Sequence, residues 1–211
     1  MFKTAGLATL LVLGFDFVRR KFLTFEHCYL YKYTLNENIE EDFMPEACDF
    51  TFKVVAGNNE ADELAAATGY DFRRRFPVSR KSLDKGAIAF CIFVDREIVH
   101  IGWVALSQEA KREIQKLPYK VGFSNGEACT GGMWTSPDYR RMGLARYGYL
   151  KRRRFLKERG VTIARNAISV NNVASRRLFA QIGADVYAEI YYLKILCWQF
   201  FRQVPVGNSC N

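Results

Sequence analysis

Long apolar runs are missing from this 211-residue chain. A membrane-spanning helix needs about 18 or more consecutive apolar residues, and no stretch supplies them. Histidine is scarce, with two residues, and no two of the six cysteines form a CxxC pair. Zinc sites draw on closely spaced Cys and His, so no metal is expected. Cys28, Cys48, Cys91, Cys129, Cys197 and Cys210 read as free thiols in a reducing cytoplasm, with Cys91 and Cys129 buried in strands. No small-x-small cleavage site follows the early apolar segment, which weakens a secretory-signal reading. Recognised nucleic-acid motifs are missing too, so no nucleic-acid partner is expected.

What is present is an ordinary globular composition, 49% apolar and 25% charged, in a chain long enough for one domain with a sizeable core. The net charge of +9 is concentrated. Residues 138–165 hold Arg140, Arg141, Arg146, Lys151, Arg152, Arg153, Arg154, Lys157, Arg159 and Arg165 against only Asp138 and Glu158. One reading of Lys151, Arg152, Arg153 and Arg154 is a solvated helix face. The other is a positive field that draws in a polyanionic ligand. The second gains from Arg140-Arg141-Met142-Gly143-Leu144-Ala145, a short loop running into a helix. The first amides of a helix lack internal partners, and the helix dipole adds partial positive charge there. Gly143 and Ala145 let a phosphate approach the backbone.

Along the chain, residues 5–18 are largely apolar and lead into Arg19-Arg20-Lys21. That order suits a helix lying on a membrane surface, or one packed on the domain or on a second subunit. Residues 29–35 alternate as a strand, and 36–49 read as an acidic linker. A first domain strand is expected at 50–55, and a helix over 59–68 capped by Asn59. Residues 71–81 read as helical, broken near Pro77. Strands at 87–94 and 97–106 flank an Asp95-Arg96 hairpin turn. A charged helix over 108–116 and a loop at 122–126 precede a strand over 127–135. Gly131-Gly132 inside that strand predicts a bulge, or a close approach of a ligand or another backbone. A helix over 143–159 ends at Gly160, and a strand lies within 161–170. Asn171-Asn172 caps a helix closed by Gly183, and the last strand is expected over 186–196.

Two of these stretches carry a resemblance. Arg140-Arg141-Met142-Gly143-Leu144-Ala145 is similar to the pyrophosphate loop Arg/Gln-x-x-Gly-x-Gly/Ala of the GNAT superfamily, the acyl-CoA-dependent N-acyltransferases. The run from Asn172 through Ser175, Leu178 and Phe179 to Gly183 resembles that superfamily's later Asn-x-x-Ser/Ala-x-x-Leu-Tyr/Phe-x-x-x-Gly helix. The resemblance covers about 70% of the chain, from residue 50 to 196. It implies an α/β (α+β) fold, with a mixed, mostly antiparallel sheet of about six to seven strands, splayed at a central bulge and flanked by helices. Residues 1–48 would form an N-terminal helix-and-strand extension, 49–198 the acyltransferase domain and 199–211 a tail.

The resemblance also implies roles. Met133, Trp134 and Thr135 would offer backbone groups to the pantetheine arm of acetyl-CoA or another acyl-CoA. Arg140, Arg141, Met142, Gly143, Leu144 and Ala145 would wrap the pyrophosphate. Asn172 would contact pantetheine, with help from Ser175. A neutral amine attacking the thioester needs a proton acceptor, and Glu127 and His100 are the candidates. Each also has a structural reading, Glu127 as a solvated strand-end carboxylate and His100 as a sheet-face histidine satisfied by neighbours. Many members protonate the leaving thiolate with a tyrosine where this chain has Phe179. The implied function is acyl transfer, acetyl in the first instance, to a small amine. A looser resemblance to GNAT proteins of surface-polysaccharide pathways suggests an amino sugar. The alternatives are long-chain transfer from acyl carrier protein to an amino acid, and a CoA-binding module without chemistry. The expected setting is the cytoplasm, with peripheral membrane contact through residues 5–21 and a homodimer as further partners.

Overall fold

A computed structural model describes residues 23–35, 43–46 and 49–206. The apolar segment at residues 5–18, most of the 36–49 linker, Cys48 and Cys210 lie outside the described residues. Eight strands form one sheet in the order β2-β3-β4-β5-β6-β1-β7-β8. The strands are β1 (Leu23–Thr34), β2 (Thr51–Val55), β3 (Ile88–Val94), β4 (Glu97–Ala105), β5 (Glu127–Thr135), β6 (Ile163–Ser169), β7 (Asp185–Ile195) and β8 (Trp198–Pro205). Every neighbouring pair is antiparallel except β5 and β6.

Alternation along β3 divides the core. Ala89, Cys91 and Phe93 join the apolar cluster beneath α1 (Asn58–Thr68), α2 (Ser79–Asp84) and α3 (Gln108–Ile114). Ile88 and Phe90 join the cluster under α4 (Leu144–Glu158) and α5 (Val173–Gln181), on the opposite face. All seven β3 residues are buried, as suits an apolar run covered on both faces. The β3–β4 hairpin turns on Asp95 and Arg96 with φ of 47° and 69°. Positive φ at both central residues is the backbone of a type I′ turn, formed here without glycine.

Three expectations change. The sheet has eight strands, because residues 198–205 are no unassigned tail but β8, paired along β7. Residues 50–55 are not the first strand of the domain. Leu23–Thr34 precedes them and lies inside the sheet, so a boundary at residue 48 does not separate that strand from the domain. Asn59 does not cap α1: the N-cap is Gly57, and Glu60 Oε2 instead accepts from the Ala56 amide at 2.7 Å. The 71–81 stretch is helical and broken near Pro77 as expected, a 3-10 turn (Phe72–Arg74) followed by α2. Cys28, Cys91 and Cys129 are buried free thiols, and Cys197 is an exposed one. Among the described residues no helix is long and apolar enough to cross a membrane, and no cluster of His, Cys, Asp or Glu could hold a metal ion.

β1 carries Cys28, Leu30, Tyr31 and Tyr33 into the core between β6 and β7. Burying large apolar side chains contributes roughly 1.5–3 kcal/mol each, comparable in sum with the stability of a whole domain at about 5–15 kcal/mol. A chain lacking residues 1–35 is therefore expected to lose cooperative thermal unfolding monitored by far-ultraviolet circular dichroism. A sharp melt in that truncation would show that β1 is dispensable.

Candidate active site

The sheet opens where β5 cannot keep both neighbours. β5 and β6 pair only over Glu127, Ala128 and Cys129 with Ile163, Ala164 and Arg165. Beyond that point β5 stays with β4 and leaves β6. The β4–β5 register shifts between Ile101 and Trp103: Trp103 faces Gly131, and Ile101 faces Trp134. Gly132 and Met133 thus oppose Gly102 alone, which is the bulge expected at Gly131-Gly132. Gly132 has φ of 56°, and a Cβ there would lie 2.7 Å from Trp103 Cδ1. Both the conformation and the space exclude a side chain.

The resulting fork has strand backbone on each side. Residues 130–135 on β5 and 166–169 on β6 carry edge groups that are not paired with each other. Gln115 closes part of one face, donating its Nε2 to the Ala167 carbonyl at 3.2 Å. Asn166, 8% exposed, is on β6 at the parting, and its Oδ1 would be 3.7 Å from a Cβ on Gly131. Neither Gln115 nor Asn166 stood out in the sequence, since neither belongs to a motif.

Met133, Trp134 and Thr135 form the far end of β5. A 3-10 turn (Pro137–Tyr139) then leads to the basic loop. Arg140 and Arg141 are exposed there. Backbone φ is −74° at Arg140, 68° at Arg141 and 81° at Gly143, with Met142 on the negative side. Residues of alternating hand turn successive amides toward one concavity, a nest that suits an anion. Gly143 is the N-cap of α4, no side chain caps it, and the Tyr147 amide bonds its carbonyl at 3.0 Å. The amides of Leu144, Ala145 and Arg146 head the helix, where intrahelical acceptors do not exist. The open side of Gly143 differs from expectation: Phe43 Cζ and Pro45 Cα lie 2.8 and 3.3 Å from where a Cβ would stand. Glycine is required here by packing as well as by φ. Arg146 lies over the Phe43 ring, 4.5 Å from its centroid.

Asn172 caps α5 as expected, its Oδ1 accepting from the Ser175 amide at 3.1 Å. That leaves the Asn172 Nδ2 as a donor at the open end of the fork. Phe179 is buried with its ring edge-on to Tyr31, Tyr33 and Tyr149.

The two proton-transfer candidates stand apart. Glu127 and Thr135, the register partner of His100, lie at opposite ends of β5, about 26 Å apart at strand rise. The Glu127 carboxylate accepts both Nε and Nη2 of Arg165 at 2.6 Å and the Gly122 amide at 2.7 Å. The Arg165 bonds hold its pKa below the usual carboxylate range, which makes it a weak base. His100 is fully buried, its Nδ1 2.8 Å from Thr135 Oγ1 and its Nε2 against the α-carbon of Gly148 in α4. Burial, with Arg152 nearby, lowers its pKa to about 3. These surroundings favour structural duty for both residues.

The reading of Lys151 to Arg154 as a solvated face fails for two of the four, since Arg152 and Arg153 are 3% and 7% exposed. The signal was available: Leu144, Gly148 and Arg152 recur every fourth position along the apolar stripe of α4. On the opposite face of the sheet, Trp134 packs edge-on to Phe76 beneath the Arg75 guanidinium. Beside it lies a cleft of about 700 Å³ lined by Asp71, Arg74, Arg75, Asp95, Arg96 and Glu97, with Gly69 and Ile98.

Well above pH 6.5 the His100 ring is uncharged in the folded and unfolded chain alike and adds no pH dependence. Below about pH 6.5 the unfolded chain takes up a proton that the folded chain refuses until about pH 3, so stability falls as pH falls through that window. Between pH 6.5 and 5 this component amounts to about 2 kcal/mol at 1.36 kcal/mol per unit. Urea unfolding of His100→Asn is expected to lose that share of the acid dependence. Identical pH slopes in both proteins would refute it.

A model of the acetyltransferase (GNAT) family matches residues 58–184. No curated protein matches the chain. Among solved structures, a GCN5-related N-acetyltransferase from Sphaerobacter thermophilus is 14% identical with a TM-score of 0.50, the match covering 93% of this chain and 58% of that one. An acetyltransferase of the GNAT family from Colwellia psychrerythraea is 16% identical with a TM-score of 0.51, covering 87% and 62%. A GCN5-related glucosamine N-acetyltransferase region of a fungal multi-domain beta-N-acetylglucosaminidase is 12% identical with a TM-score of 0.51, covering 89% and 22%. At these identities the likeness shows the fold, and the chain spans less than two thirds of each of these structures.

Proposed function

We propose, because the chain belongs to the acetyltransferase (GNAT) family, that it transfers an acyl group from acyl-CoA to a primary amine of a small molecule. The observation that carries this reading is the fork between β5 and β6, with the amide nest of residues 140–143 at its open end. The nest and the first turn of α4 suit the pyrophosphate, with Arg140 and Arg141 adding charge. The pantetheine arm would lie along Met133, Trp134 and Thr135 as an added strand does, with Asn172 Nδ2 donating to one of its carbonyls and Ser175 beside it. The thioester would then reach the bulge, where unpaired amides can hold the developing oxyanion.

The step is direct. The amine nitrogen attacks the thioester carbonyl, the carbon–sulfur bond breaks, and the amine's proton balances the departing thiolate. Since Glu127 is committed to Arg165 and His100 is sealed beneath α4, we assign proton acceptance to water in the fork rather than to either side chain. The acceptor would enter from the face opposite α4, through the polar cleft beside Trp134. Its mixture of three arginines with three carboxylates suits an amine that is otherwise hydroxylated or phosphorylated, and we favour an amino sugar or its nucleotide-linked form. Larger contacts belong to the same proposal. Phe25, Leu196, Trp198, Phe200 and Phe201 expose apolar surface near Leu23, where β1 begins, as a lipid-facing or self-associating patch does.

Thiol release from acetyl-CoA across a panel of amines, amino sugars included, tests the reaction. Turnover is expected with at least one amino sugar. Tight CoA binding without turnover on any amine would leave a binding module instead. For the loop, Gly143→Glu sets a carboxylate against the phosphates, and the double variant Arg140→Ala/Arg141→Ala removes charge without backbone strain. Each is expected to weaken CoA binding by calorimetry, roughly 30-fold or more for the glutamate. Unchanged affinity in both folded variants would refute the phosphate assignment.

A further inference from the structure

Among the described residues, the inner face of α4 holds cations without counter-ions. Nε and Nη1 of Arg152, Nε of Arg153 and His100 Nε2 are buried with no hydrogen-bond partner among the described residues, and the buried Tyr149 hydroxyl has only the Tyr33 phenol beside it. The remaining Arg152 contact, Nη2 to Met133 Sδ at 3.5 Å, uses a weak acceptor. Arg153 gives one bond, from Nη2 to the Thr34 carbonyl at 3.2 Å. The groups that act electrostatically on Arg152 are the phenols of Tyr33 and Tyr149, not a carboxylate. A guanidinium kept in the interior without an anion is expensive, and an apolar residue of similar size would avoid the cost. The neighbouring strand is nevertheless cut back for it: a Cβ on Gly102 would overlap the Arg152 guanidinium.

The cluster sits level with the bulge. Leu144 to Arg152 is about 12 Å along the helix. Thr135 to Gly131 is about 13 Å back along β5. Met133 lies just past the bulge. Thr130 lies just before it and accepts from the Tyr33 hydroxyl at 3.4 Å. The cluster therefore flanks the place where a donor anchored at residues 140–145 would present its acyl group. It is also on the donor's face of the sheet, with the acceptor cleft on the other.

Resting on the donor reading above, we propose that this is an acyl-recognition site and that the transferred acyl group ends in a carboxylate. Arg152 would take that carboxylate through its fork of donors, with the Tyr149 hydroxyl as a further donor and Arg153 adding charge. Met133, a flexible side chain, would move aside from the guanidinium. The transfer balances as any aminolysis: nitrogen bonds to the thioester carbonyl carbon, sulfur leaves with the bonding pair, and the amine's proton ends on the thiol. The distal carboxylate takes no part and stays on the amide product, which carries one more negative charge than an acetylated product.

Succinyl-CoA and acetyl-CoA offered to the full chain with the same amine panel test this. The ratio of kcat/KM, succinyl over acetyl, is expected to exceed about 30 and to fall by a similar factor in Arg152→Met, the scale of a buried ion pair broken on one side. Thermal shift supplies a readout independent of turnover. Succinyl-CoA should raise Tm more than acetyl-CoA does in the wild type, and this difference should vanish in Arg152→Met. That variant alone should melt no lower than the wild type, because it removes an unpaired buried charge. A wild type that turns over acetyl-CoA, with a donor ratio unmoved by Arg152→Met, overturns the carboxylate site and leaves the acyltransferase reading standing. No thiol release and no Tm shift with either donor would remove both.

Discussion

One extra residue in β5 governs this structure. Gly132 and Met133 stand opposite a single β4 residue, so β5 bends at the bulge and cannot stay in register with both neighbours. The long pairing with β4 wins, and the parallel pairing with β6 stops after Cys129. The bend itself depends on Gly132, which adopts positive φ with its α-carbon against the Trp103 ring. A substitution there would strain the backbone and clash with an indole that is 7% exposed. Closing the fork would pair off the backbone groups that residues 130–135 and 166–169 leave open at the sheet's centre.

Helix α4 ties the fork to the basic loop at residues 140–143. Its first turn follows Gly143, and its inner face lies close on β4 because two glycines clear the way. Gly148 admits the edge of His100, and Gly102 on β4 admits Arg152. The same closeness that positions the helix also strips water from His100 and Arg152 and depresses the pKa of both. Charge that looks like a solvated patch in the sequence is thus split. Arg140, Arg141 and Arg154 face outward, while Arg152 and Arg153 are held inside.

Elements with a strong period or a glycine stop were readable from the residues. The β3–β4 hairpin, the strand from Glu127 to Thr135, α4 ending at Gly160 and the Asn172 cap all fall where the pattern put them. The reason is local: alternation, capping and positive φ act within a few residues. β8 escaped because a strand exposed at every residue but Val204 has no buried face to impose alternation. The duties of Glu127 and His100 escaped because an ionisable side chain near a motif says nothing of its partners. Arg165 is 38 residues from Glu127, and Gly148 is 48 from His100.

By itself the sequence determined the family, the bulge and the helix start at Gly143, since each rests on short-range stereochemistry: glycine where φ is positive, and free amides where a helix begins. Tertiary structure decided which strands neighbour the fork, where β1 inserts, and which charges face water. Strand insertion depends on long-range pairing: β1 lies between β6 and β7, more than a hundred residues later in the chain. Burial of a cation is likewise a property of the surface laid over it. Arg152 and Arg154 are two residues apart on one helix, and only the packing of that helix on β4 makes one an interior charge and the other an ordinary surface partner of Glu158.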